Sequence, residues 1–159
     1  MSVYDVDKLM LEARKLAAQY RVAMGKPLGI STEIAMHDVI RLMDLKPVEN
    51  HQAGYDAVGT GARAGKRIQI KGRSVSDEAK SNQRIGQIKV DQEWDSVMLV
   101  LMNDQYEPLE IYEAEREQIL QAVANTSTKR RNRGALSVAK FKHLGRLVWS
   151  ADSQKPTKF

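Results

Sequence analysis

The sequence predicts an α/β sandwich, a mixed β-sheet flanked by helices on both faces. Three features carry that expectation. Apolar residues near the N-terminus recur every three or four positions, the middle of the chain switches to period two, and residues 94–102 are apolar enough for a strand buried on both faces. An apolar central strand with helices before and after it needs cover above and below, which excludes a bundle or a barrel.

The first helix is expected over residues 6–24, with Val6, Leu9, Met10, Ala13, Leu16, Ala17, Tyr20 and Met24 on one stripe. Asp5 is its candidate N-cap, and Gly25 and Pro27 end it. A second helix starts near Ser31 or Thr32, runs to about Leu45 and is closed by Lys46 and Pro47. Its expected buried stripe is Met36, Ile40 and Met43, flanked by Val39, whereas Asp38 and Asp44 read as surface charges. Residues 55–58 read as a short strand, followed by a flexible connection at Gly59, Gly61 and Gly65. Residues 66–73 alternate, with Ile68 and Ile70 on one face and Arg67, Gln69, Lys71 and Arg73 on the other. After the strand at 94–102 comes another at 109–112. It leads into a helix over 113–124 that turns Ile119, Leu120 and Val123 to the core. Residues 125–134 form a polar, basic loop. Ser137 can cap a short helix carrying Val138, Phe141 and Leu144, and residues 147–149 read as a last strand or a packed tail.

With 159 residues and 17.9 kDa, the chain fits a single domain, its core at about 30–124 and a basic C-terminal extension at 125–159. The absence of cysteine excludes a disulfide scaffold and thiolate metal sites and fits a reducing compartment. The longest unbroken apolar run, residues 97–102, is too short to cross a bilayer. Residues 1–5 lack the basic and apolar regions of a signal peptide, so a cytoplasmic protein is expected. The net charge of +5 is unevenly spread. Residues 129–159 carry nine Lys/Arg against Asp152 alone, and residues 63–89 carry eight against Asp77 and Glu78. Two basic blocks on an otherwise acidic chain point to a polyanion partner, or to a cationic surface kept for solubility.

Chemistry concentrates on the strand pair. Asp56 lies on one strand, and Gln69 and Lys71 lie two apart on the next, hence on one face. If the strands pair, the Asp56 carboxylate, the Gln69 amide oxygen and the Ile70 carbonyl form a set of hard oxygen donors suited to Mg²⁺. Lys71 would then stand where it neutralises charge growing on a phosphate. The plainer reading is a solvated, alternating sheet face. Glu33 adds to the site because it precedes Met36, Ile40 and Met43 by three, seven and ten residues, on the expected buried stripe. An inward carboxylate is costly unless it meets a cation, a metal or a hydrogen-bond donor.

Glu33 in a helix, then Gly54-Tyr55-Asp56, then Gln69-Ile70-Lys71-Gly72-Arg73 resembles the PD-(D/E)XK restriction-endonuclease-like nuclease superfamily. The closer likeness is to the Mrr-like branch with a D…QxK motif, over about residues 30–112. The resemblance implies a restriction-endonuclease-like αβββαβ core, one or two divalent ions (Mg²⁺ or Mn²⁺) and DNA endonuclease activity. It implies that Asp56, Gln69, the Ile70 carbonyl and Glu33 bind metal, and that Lys71 assists catalysis. Many relatives act as homodimers, since cutting two strands takes two sites. Tyr55 stands where the family name has Pro, and the neutral Gln69 removes one negative charge. Metal affinity should be weak unless Glu33 compensates.

Lys66, Arg67, Arg73, Arg84, Lys89, Lys129, Arg130, Arg131 and Arg133 are the candidate contacts to a DNA phosphate backbone, each alternatively a solvated charge. His37, His51 and His143 lack zinc-ligand spacing. The glycines at 59, 61 and 65 lack the Walker spacing, and no G-x-S-x-G elbow is present. Two other functions remain open: the same fold without hydrolysis, as a DNA- or RNA-binding module, and a protein-interaction module.

Overall fold

The structure, a computed structural model, describes residues 3–25, 27–28, 30–48, 54–75, 83–86, 88–124 and 136–152. Its elements in chain order are helices α1 (Val3–Met24) and α2 (Ser31–Leu42), strands β1 (Lys46–Pro47) and β2 (Ala57–Val58), a 3₁₀ turn (Gly61–Arg63), strands β3 (Arg67–Ser74), β4 (Ser96–Met102) and β5 (Pro108–Glu115), helices α3 (Arg116–Ala124) and α4 (Val138–Leu144), and strand β6 (Arg146–Ser150). The described strands form one sheet in the order β1-β2-β3-β4-β5-β6. Only β3 and β4 run parallel; the other neighbours are antiparallel.

The fold is therefore mixed α/β, as the periodicities predict. Every residue of β4 is buried, because a central strand between two helix layers has no solvated face. On one face, Ile68, Ile70, Met98, Val100 and Met102 pack against Ile34, Ala35 and Val39 of α2 and Ala17 of α1. On the other, Val97, Leu99, Leu101 and Ala114 pack against Ile119, Ala122 and Val123 of α3, Val138 and Phe141 of α4, and Ile85, Ile88 and Trp94. Each such large apolar side chain contributes about 1.5–3 kcal/mol by leaving water. Among the described residues no helix is long and apolar enough to cross a membrane.

Several local expectations change. Helix α2 ends at Leu42, and Asp44 takes a left-handed φ of 53° as the chain turns into β1. That strand, unforeseen from sequence, accommodates Pro47 because it lies at the sheet edge. The buried face of α2 is Ile34, Ala35, Asp38 and Val39, while Met36, Ile40 and Met43 pack only partly against the core. The cause lies in β3. Gly72 has no Cβ, and Ala35 occupies the space one would fill, so α2 is rotated to press Ala35 onto the strand.

That rotation buries Asp38, which is 1% exposed and not a surface charge. Its two oxygens accept from Arg14 Nη2 at 2.7 and 2.6 Å, and Arg14 Nε donates to the Tyr106 carbonyl at 3.0 Å. One arginine thus ties α1 to α2 and to the β4–β5 turn. Strand β5 runs on through Glu113 and Glu115, which the sequence pattern assigns to a helix. The helix begins one residue later, where Gln118 Oε1 accepts from the Glu115 N–H at 2.9 Å, as in half a capping box. Leu120 faces solvent at 37% exposure instead of the core. Ser137 does cap α4, its side chain accepting from Lys140 N at 3.1 Å.

Candidate functional site

Asp56 immediately precedes β2 and is bound to β3 twice. Its N–H donates to the Ile68 carbonyl at 2.9 Å, and its Oδ2 accepts from the Ile70 N–H at 2.8 Å. The carboxylate is therefore held along the strand. Main-chain N–H and C=O of one strand residue point to the same side, so the Ile70 carbonyl faces this edge as well.

Gln69, Lys71 and Arg73 share the face of β3 opposite α2, as the alternation predicts, but they are not a solvated strip. Gln69 is only 4% exposed. Its Nε2 donates to the Gly54 carbonyl at 2.9 Å, and its Oε1 is buried with no hydrogen-bond partner among the described residues. Burial pushes the Lys71 ammonium below its usual pKa; Asp56 pulls it back up, and Arg73 and Lys89 push it further down. Those influences place one acid and two other cations around Lys71. Arg73 is fixed by Nε donating to the Arg84 carbonyl at 2.8 Å and Nη1 donating to the Gly72 carbonyl at 2.6 Å. Lys71 and Arg73 both extend over Gly86.

The structure thus brings Asp56, Gln69, Ile70 and Lys71 to one corner of the sheet. Glu33 is not in the buried position expected of it. It lies exposed in the first turn of α2, a helix whose packed face meets the side of the sheet opposite Gln69 and Lys71. The same rotation that seats Ala35 on Gly72 turns Glu33 outward. The basic candidates divide. Lys66 pairs with Glu115 at 2.6 Å and Glu113 at 3.2 Å, and Arg67 with Asp95 at 3.1 Å and Glu93 at 3.2 Å, so the start of β3 is charge-balanced. Arg73 and Lys89 instead act on Lys71, from β3 and from the segment that precedes β4; on that segment Arg84 accepts from Arg73 through its carbonyl and forms a β-bridge with Ser137. Lys129, Arg130, Arg131 and Arg133, like His51, lie outside the described residues.

Among the described residues no three His, Asp or Glu side chains are grouped to hold a metal ion. His37 is instead engaged with Asp7 at 3.1 Å. Among the described residues, the oxygen donors at the Asp56 corner are one carboxylate, one orphaned buried amide oxygen and one main-chain carbonyl. That set fits a hard divalent cation that keeps several waters. Sequence reasoning named Gly54 without giving it this role and did not single out Gln92: Gly54 holds the Gln69 amide and has φ 88°, and a Cβ there would meet the Gln92 side chain. The glycine directly before Tyr55-Asp56 is the only local signal of that crowding. No protein-family model matches the chain, and no curated protein matches it either. What the fold and these side chains define is a mixed α/β protein with an acid, an amide and a partly buried lysine at one sheet corner.

Proposed function

We propose that the protein is a metal-dependent endonuclease that hydrolyses DNA phosphodiester bonds on a restriction-endonuclease-like core. The reading rests on one observation: Asp56, fixed to the Ile70 N–H, shares a corner with the orphaned Gln69 Oε1 and with Lys71. Asp56, Gln69 Oε1 and the Ile70 carbonyl would hold Mg²⁺ or Mn²⁺, leaving Glu33 outside the donor set. The ion supplies Lewis-acid polarisation of a phosphoryl oxygen. Lys71 places a cation where negative charge builds on the phosphate, and its partial burial strengthens that interaction relative to one in water. Arg73 and Lys89 extend the positive surface to neighbouring phosphates, giving affinity without base sequence. Two copies acting together would cut both strands.

Supercoiled-plasmid nicking in Mg²⁺ and Mn²⁺ tests this. Asp56→Ala and Lys71→Ala should each reduce the rate by about 10²-fold or more, with binding to duplex DNA retained by Asp56→Ala. If the unaltered protein binds DNA but does not nick it in either metal, the endonuclease reading fails. A binding module of the same fold then takes its place, a reading that the outward Glu33 and the neutral Gln69 favour. Absence of any salt-sensitive nucleic-acid binding would leave a protein-interaction module.

A further inference from the structure

Position 69 is where this corner departs from a two-acid pattern, and its surroundings explain the departure. Gln69 Nε2 donates to the Gly54 carbonyl at 2.9 Å in a buried setting, and Oε1 is the end left over. Gly54 is not free to turn that carbonyl away. Its φ of 88° belongs to the left-handed region, and the Gln92 side chain fills the space where a Cβ would stand. Gln92 is anchored in turn, its N–H donating to the Lys89 carbonyl at 3.1 Å and its own carbonyl accepting from Arg116 Nη1 at 2.9 Å. Arg116 also donates to the Trp94 and Val90 carbonyls at 3.0 Å each, which fixes this loop against the sheet.

A carbonyl oxygen only accepts. An amide meets it with an N–H, whereas an ionised carboxylate would set oxygen against oxygen in a place water does not reach. We infer that Gly54, backed by Gln92, is a positioning residue that reserves position 69 for an amide and leaves Oε1 as the unpartnered end, the one that a cation or a donor would have to meet. The corner is then built for one carboxylate and one amide, so an acid at 69 would not improve it. The consequence for a metal rests on the proposed site; the selection of an amide by the Gly54 carbonyl does not.

The test compares melting temperatures of the full chain, Gln69→Glu and Gln69→Met, each with and without Mn²⁺ and without nucleic acid. Methionine keeps the side-chain length but removes donor and charge. Gln69→Glu should melt about 5 °C or more below the unaltered protein, and below Gln69→Met, with no larger Mn²⁺-induced shift. Melting at or above the unaltered protein, or a larger Mn²⁺ shift, overturns the inference. If Gln69→Glu does not fold, side-chain amide exchange in ¹⁵N-edited spectra decides. The Gln69 NH₂, assigned by its loss in Gln69→Met, should exchange about 10-fold or more slowly than exposed glutamines. That protection should vanish in Gly54→Ala while cooperative unfolding persists; fast exchange in the unaltered protein, or protection retained in Gly54→Ala, sinks the inference. None of these readouts needs catalysis, so an inactive protein would end the endonuclease reading and leave this one standing.

Discussion

Glu113 sits in β5 at 1% exposure, ringed by partners from four other parts of the chain. Its oxygens accept from Ser96 Oγ at 2.8 Å, Arg63 Nε at 3.2 Å and Arg146 Nη2 at 3.0 Å, with Lys66 Nζ at 3.2 Å. Burial pushes its pKa up, but the Ser96 hydrogen bond and the charges of Lys66 and Arg63 more than offset that, so the carboxyl titrates below its ordinary range. A carboxylate with a lowered pKa in the folded state stabilises above its unfolded pKa, and that stabilisation is lost as pH falls through the folded value. Urea unfolding across the acid range should therefore show stability falling below the ordinary carboxylate pKa. Glu113→Gln should flatten that acid limb and cost about 1–3 kcal/mol near neutrality; an unchanged limb assigns the acid sensitivity elsewhere. Asp38 is a second buried carboxylate held by a distant arginine. Asp38→Ala removes both acceptors from Arg14 Nη2 and should cost about 3 kcal/mol, measured the same way, with Asp38→Asn less damaging because it keeps one acceptor. Neither acid was legible as buried. A charged residue on a helix or at a strand end shows its own local pattern, and the arginines that hydrogen-bond these two acids lie 24 to 50 residues away.

Among the elements, α2 shows what periodicity decides and what it leaves open. Its apolar positions Ile34, Ala35, Met36, Val39, Ile40 and Met43 cover more of the helix than one narrow stripe. The pattern establishes a helix but allows more than one rotation about its axis. Packing chose the rotation that lays Ala35 on Gly72, and with it the outward Glu33 and the inward Asp38. Gly72→Ala puts two methyl groups in the same space. It should cost about 1–3 kcal/mol by overpacking, read from the urea midpoint, and a neutral result would mean that α2 is not seated on this glycine. Strand β3 was legible in more detail, since alternation assigns Ile68 and Ile70 to one face and Gln69, Lys71 and Arg73 to the other. The depth of Gln69 was not. A polar residue at period two reads as solvated, and nothing within the strand shows that residues 54 and 92 close over it.

For the molecule as a whole, charge is placed asymmetrically along β3. Acids neutralise Lys66 and Arg67 at its start, while Lys71, Arg73 and Lys89 gather near Asp56 towards its end. If that end holds a nucleic-acid backbone, log K for duplex DNA falls linearly with log salt. Arg73→Ala and Lys89→Ala should each lower the slope by about 0.9 per lost phosphate contact, whereas Arg67→Ala leaves it unchanged. Fluorescence anisotropy over a salt series measures this, and equal slopes for all three variants would remove β3 from the interface. The layers can be read from residue spacing alone: helices at period 3.6, a sheet at period two, a buried central strand, and the polar face of β3. Those signals are local, written in spacings of two to four residues. The turn of α2, the burial of Asp38 and Glu113, and the grip of the Gly54 carbonyl on the Gln69 amide come from packing in three dimensions. Each of these depends on segments that meet across the fold, from the 15 residues between Gly54 and Gln69 to the 92 between Arg14 and Tyr106, and no spacing along the chain encodes such a meeting.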